Sequence, residues 1–336
     1  MVSHNNFVYP IPVGEMTLVT LPGRSAEDIA LDQAGNIYCG LEDGNIVKIS
    51  QDLKSQSILV NTGGRPLGLD WMPDGRLLVC DSERGLLAVD LESAKVAVLL
   101  DQINGIKIKI CNNPSVAKDG TIYFSDSSQR YKLDNIKKDI IENIPTGRLI
   151  KIDQTEKPQV LLEGLHFANG VILAPDESFV LVAETGARRI QRYWLKGAKA
   201  GKAEIFIDNM PGMPDNLSLG SDGLYWCALP GIADPRLELI HRLPTPIRKL
   251  ITNLPESIQP EEQRNALMIA FNSEGRYIHY YEGDPLRFHL VTGVKEHEGY
   301  LYAASIEKNA IAKIKIPEVK NTAFIRAGEA TPAQAI

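Results

Sequence analysis

Five side chains in this sequence carry oxygen donors in a pattern that could bind a hard cation. Glu27, Asn112, Asn169 and Asp215 each lie eight residues before the centre of a short turn, and Asn216 directly follows the last of them. Calcium prefers carboxylate and carbonyl oxygens, about six or seven of them at roughly 2.3–2.6 Å. Magnesium demands a tighter octahedron, and zinc and copper prefer histidine and cysteine, which these positions lack. We therefore predict a site for Ca²⁺, or another divalent cation, with these five residues as ligands.

The turns belong to a unit that recurs along the chain. Each copy has an apolar alternating run, a polar turn centred on Asp-Gly or a similar pair, and a second apolar run, which is the pattern of a β-hairpin. Most turn centres are 40 to 57 residues apart. A four-stranded blade needs roughly 40 to 50 residues, and this period is typical of β-propellers. The six copies read EDIALDQAGNIYCG, LGLDWMPDGRLLVC, NNPSVAKDGTIYFS, NGVILAPDESFVLVA, DNLSLGSDGLYWCA and TGVKEHEGYLYAAS.

These repeats predict an all-β fold, a six-bladed propeller formed by residues 1–320 and followed by a C-terminal tail, 321–336. The main alternatives, a β-sandwich and a solenoid, fit less well, because a sandwich needs no six near-equal repeats and a solenoid needs end caps. The run MTLVTL, residues 16–21, is expected to close the ring by joining the last blade. A helical pattern at 133–144 indicates a small helical or loop insertion, residues 127–147, in the third blade.

The propeller gives the cation site its geometry. The first strand of each blade lines the central channel, so equivalent residues at the start of these strands converge on the axis. We call these six residues the ring positions: Glu27, Leu67, Asn112, Asn169, Asp215 and Thr292. Asparagine and aspartate beside glycine are also common turn residues, and Asn169-Gly170 is a turn dipeptide by itself. The shared register of four oxygen-bearing side chains favours the ligand interpretation.

Composition excludes some classes of function. The net charge is −6, without the basic face that nucleic-acid binding requires. No apolar run has the roughly 18 to 20 residues of a membrane span, and the N-terminal residues resemble no signal peptide. We expect a soluble, cytoplasmic protein with a small-molecule substrate; the sequence leaves its oligomeric state open. The four cysteines form no metal-binding motif and are expected to be buried and reduced: Cys39, Cys80, Cys111 and Cys227.

Residues from about 112 to 230 closely resemble strictosidine synthase-like proteins, within the broader group of calcium propellers that includes the SMP-30/gluconolactonase and paraoxonase families. The motifs that carry the resemblance are GTIYFSDSSQRY, GRLIKID, VLLEGLHFANGVILAPDESFVLVAETGARRIQRYWLKG and NMPGMPDNLSLGSDGLYWCAL. The resemblance implies a six-bladed propeller with calcium in its channel. It also implies that the ligands are the residues that the blade register selects: Glu27, Asn112, Asn169, Asp215 and Asn216.

Two departures from these families bear on activity. Strictosidine synthase uses a glutamate early in its sixth blade, where this chain has Thr292, with Glu296 four residues further on. Paraoxonases place a histidine at the second-blade position, where this chain has Leu67. We therefore expect a hydrolase of lactones or small esters, with Asp215 as its catalytic base or nucleophile. The alternatives are a non-catalytic scaffold with structural calcium and, ranked below both, a condensing lyase.

Overall fold

The computed structural model describes residues 10–153, 155, 157–255, 259–260 and 264–317. The chain begins with two strands, β1 (Ile11–Pro12) and β2 (Met16–Thr20). Four blades of four antiparallel strands follow, each running from the channel outwards. Blade 1 is β3 (Ile29–Leu31), β4 (Ile37–Gly40), β5 (Asn45–Ile49) and β6 (Gln56–Asn61); blade 2 is β7 (Pro66–Trp71), β8 (Leu77–Asp81), β9 (Gly85–Asp90) and β10 (Lys95–Leu100). A hairpin, β11 (Gln102–Ile103) and β12 (Ile106–Lys107), leads to blade 3: β13 (Cys111–Val116), β14 (Ile122–Asp126), β15 (Gly147–Ile152) and β16 (Pro158–Leu165). Blade 4 is β17 (Ala168–Leu173), β18 (Phe179–Glu184), β19 (Arg189–Trp194) and β20 (Ala203–Ile207).

The last two blades include both N-terminal strands. A small sheet of β21 (Gly212–Met213) and β24 (Gly231–Ile232) flanks blade 5, which is β22 (Leu217–Leu219), β23 (Tyr225–Leu229), β25 (Leu267–Phe271) and β26 (Tyr277–Glu282). The short β1 adds to β26 in parallel. Blade 6 is β27 (Val291–His297), β28 (Tyr300–Ser305) and β29 (Ala310–Lys315), and β2 is its fourth strand.

The predicted six-bladed, all-β propeller is confirmed. The first strands of neighbouring blades contact one another in turn, and β27 of blade 6 contacts β3 of blade 1, so the ring is closed. Pairing of β2 with β29 closes it, as expected for residues 16–21. The predicted domain boundary at residue 320 and the tail 321–336 lie outside the described residues.

In the described part of the chain, six of the apolar core clusters lie between blades, one for each pair of neighbouring blades. Successive side chains of a strand point to opposite faces of the blade. Each blade therefore packs one face against the preceding blade and the other against the following blade. The four cysteines are free and buried within these layers. Burial raises the pKa of the Cys39 thiol to about 12, so it stays protonated and acts as a small apolar side chain.

Three helices lie on the face of the ring where the first strand of each blade begins, which we call the top face. They are α1 (Ile136–Glu142), α2 (Pro235–His241) and α3 (Thr245–Ile251). A 3₁₀ turn, Leu133–Asn135, precedes α1, in agreement with the predicted insertion; the other 3₁₀ turns are Thr185–Ala187 and Gly197–Lys199. No helix in the described part of the chain is long and apolar enough to cross a membrane.

Candidate metal centre

The ring positions lie where the pairing of each first strand is interrupted. In blades 2, 3, 4 and 6 the register between the first and second strands shifts across the ring position. In blades 1 and 5 the first strand begins two residues after Glu27 and Asp215. Residues released from a ladder can turn their side chains away from the blade face, as at a β-bulge. All six ring positions are buried.

Direct contacts link four of the five predicted ligands in two pairs. Asn216 Nδ2 donates to Glu27 Oε1 at 2.9 Å, although the two residues are 189 positions apart in the chain. The Asn169 side chain hydrogen-bonds the carboxyl group of Asp215. Repulsion from Asp215 contributes to the raised pKa of Glu27, so the two carboxyl groups share one environment. Asn112 occupies the equivalent position of blade 3, between blades 2 and 4.

Each of the five predicted ligands has one buried oxygen that accepts no hydrogen bond from the described residues. Among the described side chains, the only other amide or carboxylate oxygen in this condition is Glu142 Oε2, which is 2.6 Å from the Arg130 guanidinium. Buried polar atoms are normally paired, because an unpaired one costs about 1–3 kcal/mol. Five such oxygens from four separate chain segments fit one shared cation. They are Glu27 Oε2, Asn112 Oδ1, Asn169 Oδ1, Asp215 Oδ1 and Asn216 Oδ1.

Burial strongly disfavours the charged forms of the ring carboxylates. Loss of solvation raises the pKa of Asp215 to about 8, and the Asn169 hydrogen bond only partly opposes this effect. Loss of solvation also raises the pKa of Glu27 well above its usual value, with Asp215 and Asp28 adding repulsion. A bound cation reverses this balance, because it stabilises both carboxylates. The donor set therefore fits a hard divalent ion.

Two carboxylates and three carboxamides make up this donor set. Within the described residues, no group of three or more His, Cys, Asp or Glu side chains is arranged to hold a metal ion. The candidate centre thus depends on its asparagines for most of its oxygens. Oxygen donors without histidine or cysteine favour calcium over zinc or copper.

Neighbouring side chains fix the direction of the ring amides. The Thr185 hydroxyl donates to the Pro214 carbonyl at 2.8 Å, so it can only accept from Asn169 Nδ2, at 3.2 Å. This bond turns Asn169 Oδ1 away from Thr185. The nitrogen of Asn216 is held by Glu27 in the same way, and the Thr292 hydroxyl donates to the Glu27 carbonyl at 2.7 Å. Thr292 is therefore a support for the ring.

A second layer alternates polar residues with glycine. The residues that follow the ring positions are, in blade order, Asp28, Gly68, Asn113, Gly170, Asn216 and Gly293. Asn113 Oδ1 accepts from the Val171 amide at 2.8 Å, and its Nδ2 donates to Asp28 Oδ2 at 3.1 Å. Sequence reasoning missed Asp28 and Thr185. The alternation itself is the signal that could have identified Asp28.

The glycines of this layer allow the blades to approach closely. A Cβ on Gly170 would lie 2.3 Å from the Leu217 nitrogen and 2.5 Å from the Asp215 carbonyl oxygen. Such distances are far inside van der Waals contact. Gly170 therefore lets blade 4 pack directly on the backbone that carries Asp215.

Apolar side chains cover the top of the ring. Leu67, Phe167 and Ile110 form a buried cluster, and Ile136 and Ile140 of α1 pack on it. Leu67, Phe167 and the insertion therefore form an apolar wall at the ring.

Trp226 and Met210 are core residues. Trp226 belongs to the cluster between blades 5 and 6, and its indole donates to Asp222 on the opposite face. Met210 is fully buried between blades 4 and 5. Met213 lines a small cavity beside His241 and Leu237. A larger cavity of about 320 Å³ between blades 3 and 4 is lined by none of the predicted ligands.

The side chains of Glu296 and His166 are both engaged in contacts away from the ring positions. The Glu296 carboxylate accepts from the Ser221 hydroxyl at 2.8 Å and from the Gly299 amide at 2.8 Å, so it lies beside the turn at the far end of β27. It cannot replace the glutamate that a condensing enzyme needs at the Thr292 position. His166 contacts Asn143 Oδ1 at 2.8 Å, and Asn143 in turn contacts His241. His166 therefore joins blade 4 to the helices of the top face.

The sequence of this chain is similar to two family models and to curated proteins. Residues 112–198 match the strictosidine synthase family model, and residues 14–49 match the model of the strictosidine synthase-like N-terminal region. The chain is 36% identical over 300 residues to Protein STRICTOSIDINE SYNTHASE-LIKE 6 of Arabidopsis thaliana, covering 87% of this chain and 79% of the relative.

Two solved structures share the fold at low sequence identity. One is a gluconolactonase from Xanthomonas campestris, with a TM-score of 0.66, 13% identity, and coverage of 93% of this chain and 96% of the other. The second is the calcium-binding protein regucalcin from Agrobacterium tumefaciens, with a TM-score of 0.66, 14% identity, and coverage of 93% and 98%. At these identities the similarity concerns the fold alone.

Proposed function

Because the chain belongs to the strictosidine synthase-like family, with the fold of the gluconolactonase and regucalcin propellers, we propose that it is a calcium-dependent hydrolase of lactones or small esters. One observation carries the proposal. Five buried oxygens without hydrogen-bond partners, two of them from carboxyl groups, belong to residues at the start of the first strands of blades 1, 3, 4 and 5. A hard cation beside an ionisable carboxylate can catalyse ester hydrolysis, because the cation stabilises the developing oxyanion and the carboxylate can accept a proton.

The ligands proposed for the cation are Glu27, Asn112, Asn169, Asp215 and Asn216, with water completing the shell. Calcium bound there would supply Lewis acidity that polarises a carbonyl oxygen of the substrate. Glu27 is the better structural ligand, because two neighbours hold it in place. The Asn216 amide donates to its carboxylate, and the Thr292 hydroxyl donates to its backbone carbonyl. Asp215 is the most exposed of the ring positions.

Asp215 is therefore the proposed catalytic residue. As a base, its carboxylate takes a proton from water while the resulting hydroxide adds to the substrate carbonyl carbon. The carbon–oxygen bond of the lactone or ester then breaks, and the departing alkoxide takes up the proton. As a nucleophile, Asp215 would instead add to the carbonyl carbon and expel the alkoxide, which gives an acyl-aspartyl anhydride. Water would then add to the Asp215 carbonyl carbon of the anhydride, release the acyl group as a carboxylate and supply the proton that the alkoxide takes up. A single turnover in ¹⁸O-labelled water distinguishes them, because only the nucleophilic route places label in the Asp215 side chain.

The test is hydrolysis of a panel of lactones and aryl esters. We expect EDTA to abolish turnover, calcium to restore it, and Asp215→Asn to lower kcat by at least about a hundredfold, the usual scale for a lost general base. Asp90→Asn is the matched control, because Asp90 is an acid on a turn of the opposite face. No turnover on any substrate with calcium present would contradict the proposal.

A non-catalytic propeller with structural calcium is the second candidate. The observation in its favour is the apolar cover, since Leu67 and Phe167 are almost fully buried beneath α1. If Glu27→Gln and Asp215→Asn lower only the melting temperature, and no substrate is hydrolysed, the structural role is the better account.

A further inference from the structure

The exposed apolar side chains are distributed unevenly over the molecule. Among the described residues, the large exposed hydrophobic side chains fall into two groups. One group lies on outermost strands of the blades and is spread around the rim: Leu18, Ile58, Val98, Ile205 and Ile278. The other lies on connections at the top face: Ile106, Ile232, Leu239, Ile247, Leu250, Leu254 and Leu286. None lies on the turns of the opposite face.

Four of these top-face residues belong to one helical unit, which we call the cap: residues 133–142 and 235–254. The two segments are bound to each other, with His241 Nε2 contacting the Ile140 carbonyl at 2.8 Å and Arg248 donating to the Asn143 carbonyl at 3.2 Å. The inner side of the cap packs on Leu67 and Phe167. Its apolar residues Leu239 and Leu250 are 63% and 64% exposed and face solvent.

Basic side chains without an ion-pair partner in the described residues lie on the same helices as these leucines or beside them. Five exposed basic side chains of the cap and its flank form no ion pair within the described residues: Lys132, Lys137, Lys138, Arg242 and Lys249. The acids of the same helices are mostly engaged, since Glu142 binds Arg130, Glu238 binds Arg188 and Asp234 binds Arg236. Glu256, Glu261 and Glu262 of the same connection lie outside the described residues, so the charge argument concerns the helices themselves.

We propose that the cap is a docking surface for an anionic lipid bilayer, which would bring the mouth of the channel against the membrane. Basic helices with exposed leucines bind the interface through buried apolar area and attraction to acidic headgroups. The cap contains more Lys and Arg than Asp and Glu residues, although the whole chain carries a net charge of −6. A second copy of the chain fits less well, because a two-fold contact through this face would oppose like charges. The inference rests on the cap alone and is independent of the cation and of catalysis.

Co-sedimentation of the full chain with vesicles tests the proposal. We expect binding to phosphatidylcholine vesicles that contain about one-third phosphatidylserine, and release of the protein at high salt. We expect Leu239→Ser with Leu250→Ser, and separately Arg242→Glu with Lys249→Glu, to lower the partition coefficient by about tenfold or more. The matched control is Ile58→Ser with Ile205→Ser, since these residues are 53% and 49% exposed and lie on outer strands.

Four results would overturn the proposal. The first is failure of the wild-type chain to sediment with acidic vesicles. The second is equal, salt-independent binding to phosphatidylcholine alone. The third is an equal loss of binding in the outer-strand control. The fourth is a wild-type dimer by light scattering that the cap leucine variant converts to a monomer without any vesicle binding, which would assign the face to a second copy.

Discussion

At the scale of single residues, the candidate site is defined by buried oxygens that accept no hydrogen bond from the described residues. Asn169 and Asn216 each use their nitrogen within the protein, which leaves their oxygen unpaired. Glu27 and Asp215 are buried acids that burial disfavours as anions. The metal-free ring should therefore hold protons that a cation would displace.

This balance predicts a pH dependence for the metal-free protein. The pKa of Asp215 is raised to about 8 in the folded chain, so between pH 4 and 8 the folded state binds protons more tightly than the unfolded state. Stability should be fully present below about pH 4 and should be lost as the pH rises through 8. Thermal unfolding in EDTA measures this, with a falling melting temperature expected. Asp215→Asn should flatten the curve, and a melting temperature that rises over this range would contradict the account.

Calcium binding should follow the same linkage. Near pH 7 the Asp215 carboxyl group, whose pKa is raised to about 8, is largely protonated, so binding of one ion should release about one proton. Titration calorimetry in buffers of different ionisation enthalpy measures the number released. Affinity should rise between pH 6 and 8, and a pH-independent affinity would argue against these carboxylates as ligands.

At the scale of elements, the first strand of each blade does two things at once. It pairs with the second strand along most of its length, and it breaks that pairing at the ring position. The glycines after Leu67, Asn169 and Thr292 allow the neighbouring backbone to come close. The site and the blade contacts are therefore built by the same few residues.

Gly170→Ala tests this coupling. The added Cβ would meet the Leu217 nitrogen and the Asp215 carbonyl, so blades 4 and 5 must separate. We expect a loss of about 1–3 kcal/mol in the free energy of unfolding, as for other overpacked sites, together with weaker calcium binding. Gly14→Ala is the control, because a Cβ there meets nothing closer than 3.7 Å. A fully stable Gly170→Ala variant would show that this close approach is unimportant.

Four of the ring ligands could be chosen from the sequence because they share one spacing from the turn of their blade. Eight residues back from the turn selects Glu27, Asn112, Asn169 and Asp215 without any knowledge of contacts. Thr185 could not be chosen this way, since it lies on a turn after β18 and reaches Asn169 only through the folded backbone. The turn register also does not show that Trp226 lies in the core between blades 5 and 6, because this depends on which face of β23 packs against the neighbouring blade.

At the scale of the whole molecule, stability depends on closing the ring. The N-terminal strand β2 completes blade 6, which joins the two ends of the described chain. The alternation that predicted a strand at residues 16–21 also predicts which side chain faces the core. The cap could not be predicted in the same way, because α2 and α3 are short and their packing on α1 involves polar contacts between distant segments.

Two substitutions in β2 test this closure. Val19 packs against the cluster between blades 6 and 1, whereas Leu18 points outwards and is exposed. Val19→Asp should lower the free energy of unfolding by about 2–4 kcal/mol, because it places an unpaired charge against the core. Leu18→Asp should change it by less than about 1 kcal/mol. Chemical denaturation compares them, and equal effects would mean that β2 is not the closing strand.

The most direct measurement is a crystal structure of the chain grown with calcium, with anomalous data to locate the ion. The account predicts one ion at the top of the channel, at about 2.3–2.6 Å from the oxygens of Glu27, Asn112, Asn169, Asp215 and Asn216. An anomalous map without a peak at this ring, in crystals that contain millimolar calcium, would contradict it.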